Sequence, residues 1–438
     1  MVVPERTRPG DPSSPRAAAP DAPTARIGVP LINALSGPLL LALVVALHLA
    51  LLLGVFPNTR EDVVLRGFLS LSYSDGGRAL TGAVPYRDFL LEYPLGSLVF
   101  MMAPYLFSVG YLEYRTAFFV EVALLDVVVL VALYAVARAT AVSVRRALGF
   151  YTLAIVLLGP LVDYRLDLAP AALTALAMLA WRRGRLAWAA IALAAGTATK
   201  AYPLLLLPLL LADSWSQGRR RQAVGAAVLF VGALAVLLSP ALLASPSDLS
   251  LALQFQTGRR LQVESLWATP PLLLHLVAGF PLEITGRARA LVVLGPGDAW
   301  GAAGAPTLAL VSALVYWRWW RLRRRAELRV AAMFVGAAAL VLAAAMLSKV
   351  LSPQYVLWVM PALAMLPLPR GQRILPLCAL GAFLAALPLT QWLYPLHYGE
   401  FVRLIEPTAV IVLATRNLLL ALALIALLAT LWQLDRAT

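Results

Sequence analysis

Apolar runs of roughly 15–25 residues follow one another along almost the whole chain, separated by short turns rich in arginine. About 20 apolar residues in a helix suffice to cross the hydrocarbon of a bilayer. Inside it, every backbone polar group must find its partner within the protein, which helices achieve unaided. The pattern implies an all-α, polytopic integral membrane protein. Of the 438 residues, 61% are hydrophobic and 13% charged, against about 25% charged in a typical soluble domain. The net charge of +14 comes from arginines dispersed between the spans. Cytoplasmic turns of membrane proteins carry that bias, so it implies no nucleic-acid partner. The single cysteine, Cys378, lies in an apolar run, which excludes an internal disulfide and a cysteine metal site. His48, His275 and His397 are scattered without zinc-ligand spacing. No glycine-rich phosphate loop follows a strand. No metal or cofactor is expected.

Charge placement predicts the organisation. Residues 1–30 are rich in Pro, Ala, Arg, Asp and Ser and lack apolar periodicity, which predicts a disordered cytoplasmic tail rather than a signal peptide. Residues 31–438 then form one transmembrane unit. Its first external loop, 57–113, contains Ser97–Gly110, too short to cross and therefore interfacial. A second large external loop covers 244–298, with Pro271–Phe280 re-entrant. Leu186–Asp213 lies between two arginine-rich turns, Arg182–Arg185 and Gly218–Arg221. That parity requires two short crossings turning at Thr199–Pro203. Pro353–Pro367 is read as a further crossing. About twelve crossings result, with both termini cytoplasmic. No inverted repeat relates the halves, which points away from a two-fold transporter and toward an enzyme working on the outer face.

The polar interval Phe56–Gly96 holds five carboxylates, Glu61, Asp62, Asp75, Asp88 and Glu92, in a chain otherwise poor in acids. Desolvation at a membrane interface raises a carboxylate pKa toward that of a useful general base. Pro85, Tyr86 and Pro94 hold the loop to one path; the plainer reading is a set of solvated loop acids. Asp163, Arg165 and Asp167 share a short external turn, either a clamp for sugar hydroxyls or ordinary interface polarity. Lys200 and Lys349 are the only lysines. A compact ammonium suits phosphate, and the alternative is a snorkelling boundary residue. Arg259 and Arg260 form a candidate phosphate clamp; the bland reading pairs Arg260 with Glu264 on a helix. Arg416 opens the last span, where a charge is a functional candidate by default. Glu121 and Asp126 lie within the second span and receive no role.

Five motifs occur in order: G-x-x-P-Y-R-D-F-x-x-E-Y-P (Gly82–Pro94), R-x-D (Arg165–Asp167), T-K-x-Y-P (Thr199–Pro203), R-x-L-Q-x-E-S (Arg259–Ser265) and K-x-x-S-P-Q-Y-x-x-W (Lys349–Trp358). Together they resemble glycosyltransferase family 87. That group of GT-C integral membrane enzymes includes the polyprenyl-phosphate-mannose-dependent mannosyltransferases of actinobacteria. The resemblance implies a GT-C-type fold and inverting transfer of one hexose, mannose first, from a polyprenyl-phosphate donor to a glycolipid or glycan acceptor. It places the protein in a bacterial inner membrane, among membrane lipid, with its site outside. The family's base is commonly an acid of the first external loop, four residues before a tyrosine. Here Tyr73 is preceded at that spacing by Leu69, so Asp75 and Asp88 stand in as expected catalytic residues. Expected substrate contacts are Tyr86, Arg87, Glu92 and Tyr93 in the loop; Asp163, Arg165 and Asp167; and Lys200 and Tyr202. Arg259, Arg260 and Glu264, then Lys349, Gln354, Tyr355 and Arg416, complete the set. The rival readings are a lipid-linked sugar flippase and a GT-C homologue without catalysis.

Overall fold

The computed structural model describes residues 37–58, 63–244, 250, 254, 257–287, 290–368 and 371–435. The tail 1–30, Glu61 and Asp62 lie outside them. The chain opens with α1 (Gly37–Ala50), α2 (Val63–Leu80), the short α3 (Ser97–Met102), α4 (Tyr111–Arg138) and α5 (Val144–Leu158). It continues through α6 (Leu168–Arg182), α7 (Leu186–Thr199), α8 (Leu207–Ser216) and α9 (Arg220–Ala244). Then come α10 (Thr269–Ala278), the strands β1 (Glu283–Arg287) and β2 (Ala290–Leu294), and α11 (Gly304–Leu322). It closes with α12 (Ala326–Leu347), α13 (Val356–Ala364), α14 (Ile374–Gln391), α15 (Tyr398–Leu404) and α16 (Pro407–Gln433).

The protein is a helical, multi-pass membrane protein. Among the described residues, eight helices are long and apolar enough to cross a bilayer, those built on α1, α4, α5, α9, α11, α12, α14 and α16. Four shorter apolar helices accompany them: Ser97–Phe107, α6, α7 and Leu266–Ala278. Pro353–Pro367, expected as a crossing, contains a 3-10 turn, Pro353–Tyr355, and the nine-residue α13, and every residue of that helix is buried. A proline-broken piece of this kind is tolerated at membrane depth because protein, not lipid, surrounds it.

α12 is the central helix. Ala332–Leu347 are all buried, and eight of these sixteen are Ala or Gly. Small residues let neighbouring backbones approach closely, and a helix apolar on every side belongs inside the protein. α1 is the opposite case, with His48 its one buried residue. His48 Nδ1 lies 2.7 Å from Asp126 Oδ2, and its Nε2 lies 2.9 Å from Thr152 Oγ1. The Tyr151 hydroxyl donates to Asp126 Oδ1 at 2.8 Å. This clasp joins α1, α4 and α5 within their apolar stretches.

Two local devices shape the site end. α7 stops at Thr199, and Lys200 is extended (φ −158°, ψ 135°) before a 3-10 turn that starts Tyr202-Pro203. Proline cannot continue an α7 hydrogen-bond ladder, so the break sets Lys200 at a helix end. Gly96 donates its N–H to the Ala198 carbonyl at 2.8 Å. A Cβ at Gly96 would meet Ala198 at 2.7 Å, so glycine lets the first loop lie directly against that break. The second device is the small antiparallel hairpin β1–β2, with Glu283 opposite Leu294; the all-helical expectation did not include it. Val263 donates to the Leu291 carbonyl at 3.0 Å and Val293 to that of Leu261 at 2.8 Å. Gln262 donates to the Lys349 carbonyl at 3.0 Å. The segment Arg259–Ser265 is thus pinned between β2 and the chain leaving α12.

Candidate active site

Two cavities open side by side where these segments meet. The first, about 450 Å³, is lined by Glu92, Lys200, Tyr202, Arg259, Lys349 and Tyr355, with Leu204, Leu205, Leu308 and Ala344 as apolar wall. The second, about 480 Å³, is lined by Glu92, Tyr93, Arg165, Arg259, Glu264 and Gln354, with Phe68, Gln262, Tyr394 and Tyr398 among the remainder. Glu92 and Arg259 line both, and an Arg259 Nη2 to Glu92 Oε1 distance of 3.7 Å pairs them across the boundary.

The first cavity concentrates positive charge. Lys200 Nζ sits 4.0 Å from the Tyr93 ring centroid, 4.8 Å from Tyr355 and 5.4 Å from Trp358. Faces of aromatic rings attract a cation through their quadrupole. The rings are themselves fixed: Trp358 stacks on Tyr355 at 3.9 Å and on Tyr202 at 4.6 Å. Asp167 accepts the Trp358 indole N–H at 2.7 Å, and the same oxygen lies 3.9 Å from Lys200 Nζ. Asp167 therefore positions the cage. Lys349 Nζ donates to the Thr257 carbonyl at 2.8 Å, which ties the second lysine to the arginine segment.

In the second cavity formal charges balance, Arg165 and Arg259 against Glu92 and Glu264. The Arg165 guanidinium lies over Phe68 at 4.6 Å and donates to the Tyr394 hydroxyl. Glu264 accepts the Tyr398 hydroxyl at 2.6 Å. Burial pushes the Glu264 carboxyl above its ordinary range, and the bond from Tyr398 offsets this in part. Its other oxygen and Gln354 Oε1 are buried without a hydrogen-bond partner, polar groups that a hydroxylated ligand would satisfy.

Several expected residues lie elsewhere. Asp88 lines neither cavity; it closes its own turn by accepting the Val84 N–H at 2.7 Å and the Arg87 guanidinium at 2.9 Å. The Arg87 bond, then the Val84 N–H, hold its pKa down to about 2. Such a carboxylate is a poor proton acceptor at neutral pH. Tyr86 is another loop builder, with φ 68° and its hydroxyl donating to the Tyr93 carbonyl at 2.9 Å. Asp75 is buried on α2, also away from both cavities. It precedes Gly76, where a Cβ would lie 2.5 Å from the Met101 carbonyl oxygen, so α2 packs against α3 there. Arg260 turns outward to Asp298 at 2.9 Å. The segment is not helical, so the Arg260–Glu264 pair of the plainer reading does not form. Arg416 is fully buried and donates to the Glu264 carbonyl at 3.1 Å, while Asn417 holds Thr269 Oγ1 at 2.7 Å. These two side chains fasten α16 to the pinned segment. Asp163 lines neither cavity; both its oxygens are buried without a hydrogen-bond partner, and burial pushes its pKa well up.

Sequence reasoning passed over Trp358, Phe68, Tyr394 and Tyr398. Trp358 ends one of the motifs, and the two tyrosines stand in an aromatic-rich polar turn. Those were the signals available.

The family model for glycosyltransferase family 87 matches residues 89–353, more than half of the chain. The chain belongs to glycosyltransferase family 87. The matched region of this family-87 chain carries Glu92, Arg165, Lys200, Arg259, Glu264 and Lys349; Asp75 and Asp88 precede it. Among solved structures, ArnT from Cupriavidus metallidurans bound to undecaprenyl phosphate is similar, at 16% identity and a TM-score of 0.47. The match covers 91% of this chain and 77% of that one. No curated protein matches the chain.

Proposed function

We propose that the protein moves a single hexose, mannose first among them, from a polyprenyl-phosphate donor to a lipid- or glycan-linked acceptor, with inversion. The reaction takes place at the outer face of a bacterial inner membrane. The observation that carries this reading is the pairing of two unlike cavities across one carboxylate. The first offers Lys200, Arg259 and Lys349 beside an apolar wall, the surroundings a lipid phosphate needs. The second offers balanced charge, amides and aromatic rings, which suits a polyhydroxylated acceptor. Lys200 ends α7 and Lys349 follows α12, and both helices begin at arginine-rich turns. Arginine-rich turns face the cytoplasm, so the cavities belong at the opposite face.

Glu92 is the base in this arrangement, replacing Asp75 and Asp88. Its carboxylate takes the proton of the acceptor hydroxyl as that oxygen attacks the anomeric carbon. The bond from that carbon to the phosphate oxygen breaks, and its electron pair leaves with the phosphate. The donor is a phosphodiester with one negative charge; the departing polyprenyl phosphate carries two. Lys200, Arg259 and Lys349 therefore stabilise the leaving group more strongly than the bound donor, which is what lowers a barrier. Purified protein in lipid nanodiscs, given a panel of labelled polyprenyl-phosphate hexoses and glycolipid acceptors, tests the reading. Label transfer with release of polyprenyl phosphate is expected for one donor. Absence of release with every donor would count against it.

A further inference from the structure

A third cavity, about 650 Å³, shares no residue with the two in the cleft. One wall is the 3-10 turn Ala103–Phe107 that follows α3; the other is the face of α4 from Glu113 to Leu124. Phe107, Val120 and Leu124 line it and are exposed apolar side chains, the mark of a surface that faces lipid. α4 ends at Arg138. Counted back from there, about 20 residues at about 1.5 Å each cover the roughly 30 Å of hydrocarbon and reach Phe118. Glu121 therefore lies about one turn inside the hydrocarbon boundary, and Glu113 above it. Three polar side chains line the cavity, and two are already engaged. Glu113 accepts the Val109 N–H at 2.6 Å, and the Thr116 hydroxyl donates to the Leu112 carbonyl at 3.1 Å. Glu121 Oε2 is buried without a hydrogen-bond partner. The Tyr114 hydroxyl, two turns earlier on α4, donates to the Met101 carbonyl instead. Among the described residues, no Lys or Arg lines this cavity. A polar group at such depth is costly until a partner completes it, and lipid supplies no water to do so.

We infer that this cavity binds an uncharged lipid alcohol, its chain along Phe107, Val120 and Leu124 and its hydroxyl on the Glu121 carboxyl. The apolar walls call for hydrocarbon. The carboxyl calls for a hydrogen-bonding group just inside the boundary, where a hydroxyl carrying no headgroup resides. A hydroxyl both donates and accepts, so it completes the carboxyl in either protonation state. A phospholipid fits less well. Its phosphate would come to the level of Glu113, an acid, with no cation lining the cavity to offset the repulsion. Diacylglycerol and a single-chain alcohol share the required chemistry. The site stands apart from the donor and acceptor assignments above.

Carbodiimide labelling of the purified full chain in dioleoylphosphatidylcholine nanodiscs tests the site. Dicyclohexylcarbodiimide is apolar and reacts with carboxyls in apolar surroundings, and peptide mass spectrometry reads the modification at Glu121 itself. Glu121 should be modified in the unloaded protein. Added oleyl alcohol or dioleoylglycerol should protect it, and whichever does so at the lower concentration identifies the source. Octadecene, a chain of the same length without the hydroxyl, should need a concentration roughly tenfold higher, the worth of one hydrogen bond. Equal protection by octadecene would mean that the cavity only takes up hydrocarbon, and would overturn the inference. So would protection by dioleoylphosphatidylethanolamine at a lower concentration than by either alcohol, or a Glu121 that the reagent does not reach in the unloaded protein. A second measurement uses Glu121→Leu, which puts an apolar side chain where lipid accepts one. Binding of radiolabelled dioleoylglycerol or oleyl alcohol, whichever protects better, should weaken about tenfold in that variant. Unchanged binding would remove the carboxyl from the site and overturn the inference as well.

Discussion

The molecule buries carboxylates in two quite different ways. In the clasp within the apolar stretches, Asp126 has both oxygens engaged, by His48 and Tyr151, and His48 has both ring nitrogens engaged, by Asp126 and Thr152. Nothing there is left for a ligand. In the second cavity, Glu264 Oε2 and Gln354 Oε1 are buried without hydrogen-bond partners, and the cations of the first cavity outnumber its lining acid. A buried polar group that is left unmatched costs about 1–3 kcal/mol. Such groups are kept beside open volume where a ligand completes them. The clasp is a closed joint; the second cavity sets unmatched polar groups beside open volume, as a binding site does.

The sharpest test of that division is Glu92→Gln. If the cleft does the chemistry, loss of the base should slow transfer about 10²–10⁴-fold, measured as initial rate of label transfer, with the thermal unfolding midpoint unchanged. Retention of wild-type rate would remove Glu92 from the reaction. Next in size is Lys200→Met. Bonds to charged groups contribute about 1.5–3 kcal/mol, so kcat/KM for the donor should fall roughly tenfold to a hundredfold, with acceptor KM unchanged. Lys200→Arg should restore only part, because a planar guanidinium does not sit in the cage as an ammonium does. Full activity in both variants would reduce Lys200 to a boundary residue.

The clasp predicts the reverse pattern. Asp126→Ala leaves His48 Nδ1 and the Tyr151 hydroxyl without their acceptor, a cost of about 1–3 kcal/mol for each orphaned group. The unfolding midpoint should drop, while transfer rate per folded molecule stays within about twofold. A fall in rate with no loss of stability would make the clasp part of the machinery and erase the distinction.

The sequence marked most of what the cleft uses, because chemistry-bearing residues are scarce in a chain with 61% hydrophobic residues. Lys200, Lys349, Arg259 and Glu92 stood out by rarity or by place. Membrane character was equally legible, since apolar length is a one-dimensional property. Pairing was not. That Asp298 takes Arg260, or that Trp358 joins Asp167 to Lys200, depends on residues 38 and 191 positions apart. No local spacing encodes them. The hairpin escaped for a different reason: Ala290–Leu294 is a short apolar run, and helix and strand look alike at that length. Three of the four shorter apolar helices fall on segments that the sequence already marks as short, Ser97–Gly110, Leu186–Asp213 and Pro271–Phe280, because an apolar run below about 20 residues can be read directly.

The smallest expected effect is also the one most able to undo the comparison. Asp88 shares the first loop with Glu92, four residues earlier, and by sequence it stood ahead of Glu92 as the base. What separates them is surroundings. Asp88 spends its oxygens on the Val84 N–H and the Arg87 guanidinium, half in solvent, and those bonds hold its pKa near the bottom of the carboxylate range, at about 2. Protonation of such a group at neutral pH is unfavourable by several powers of ten, and it faces no cavity. Glu92 sits between two cavities, beside the cation that a phosphate would claim. Asp88→Asn keeps an acceptor for Val84 and loses only an exposed ion pair, which solvent screens. The rate of transfer should therefore change by less than about twofold. Because the Asp88 pKa is depressed on folding, whatever stability it adds is present above the unfolded carboxylate pKa of about 4 and is lost as pH falls toward 2. The variant and wild type should thus differ slightly at pH 7 and converge in acid. A hundredfold loss of transfer at pH 7, with folding intact, would make Asp88 the base despite its bonds, and would mean the loop rearranges to present it when substrate binds.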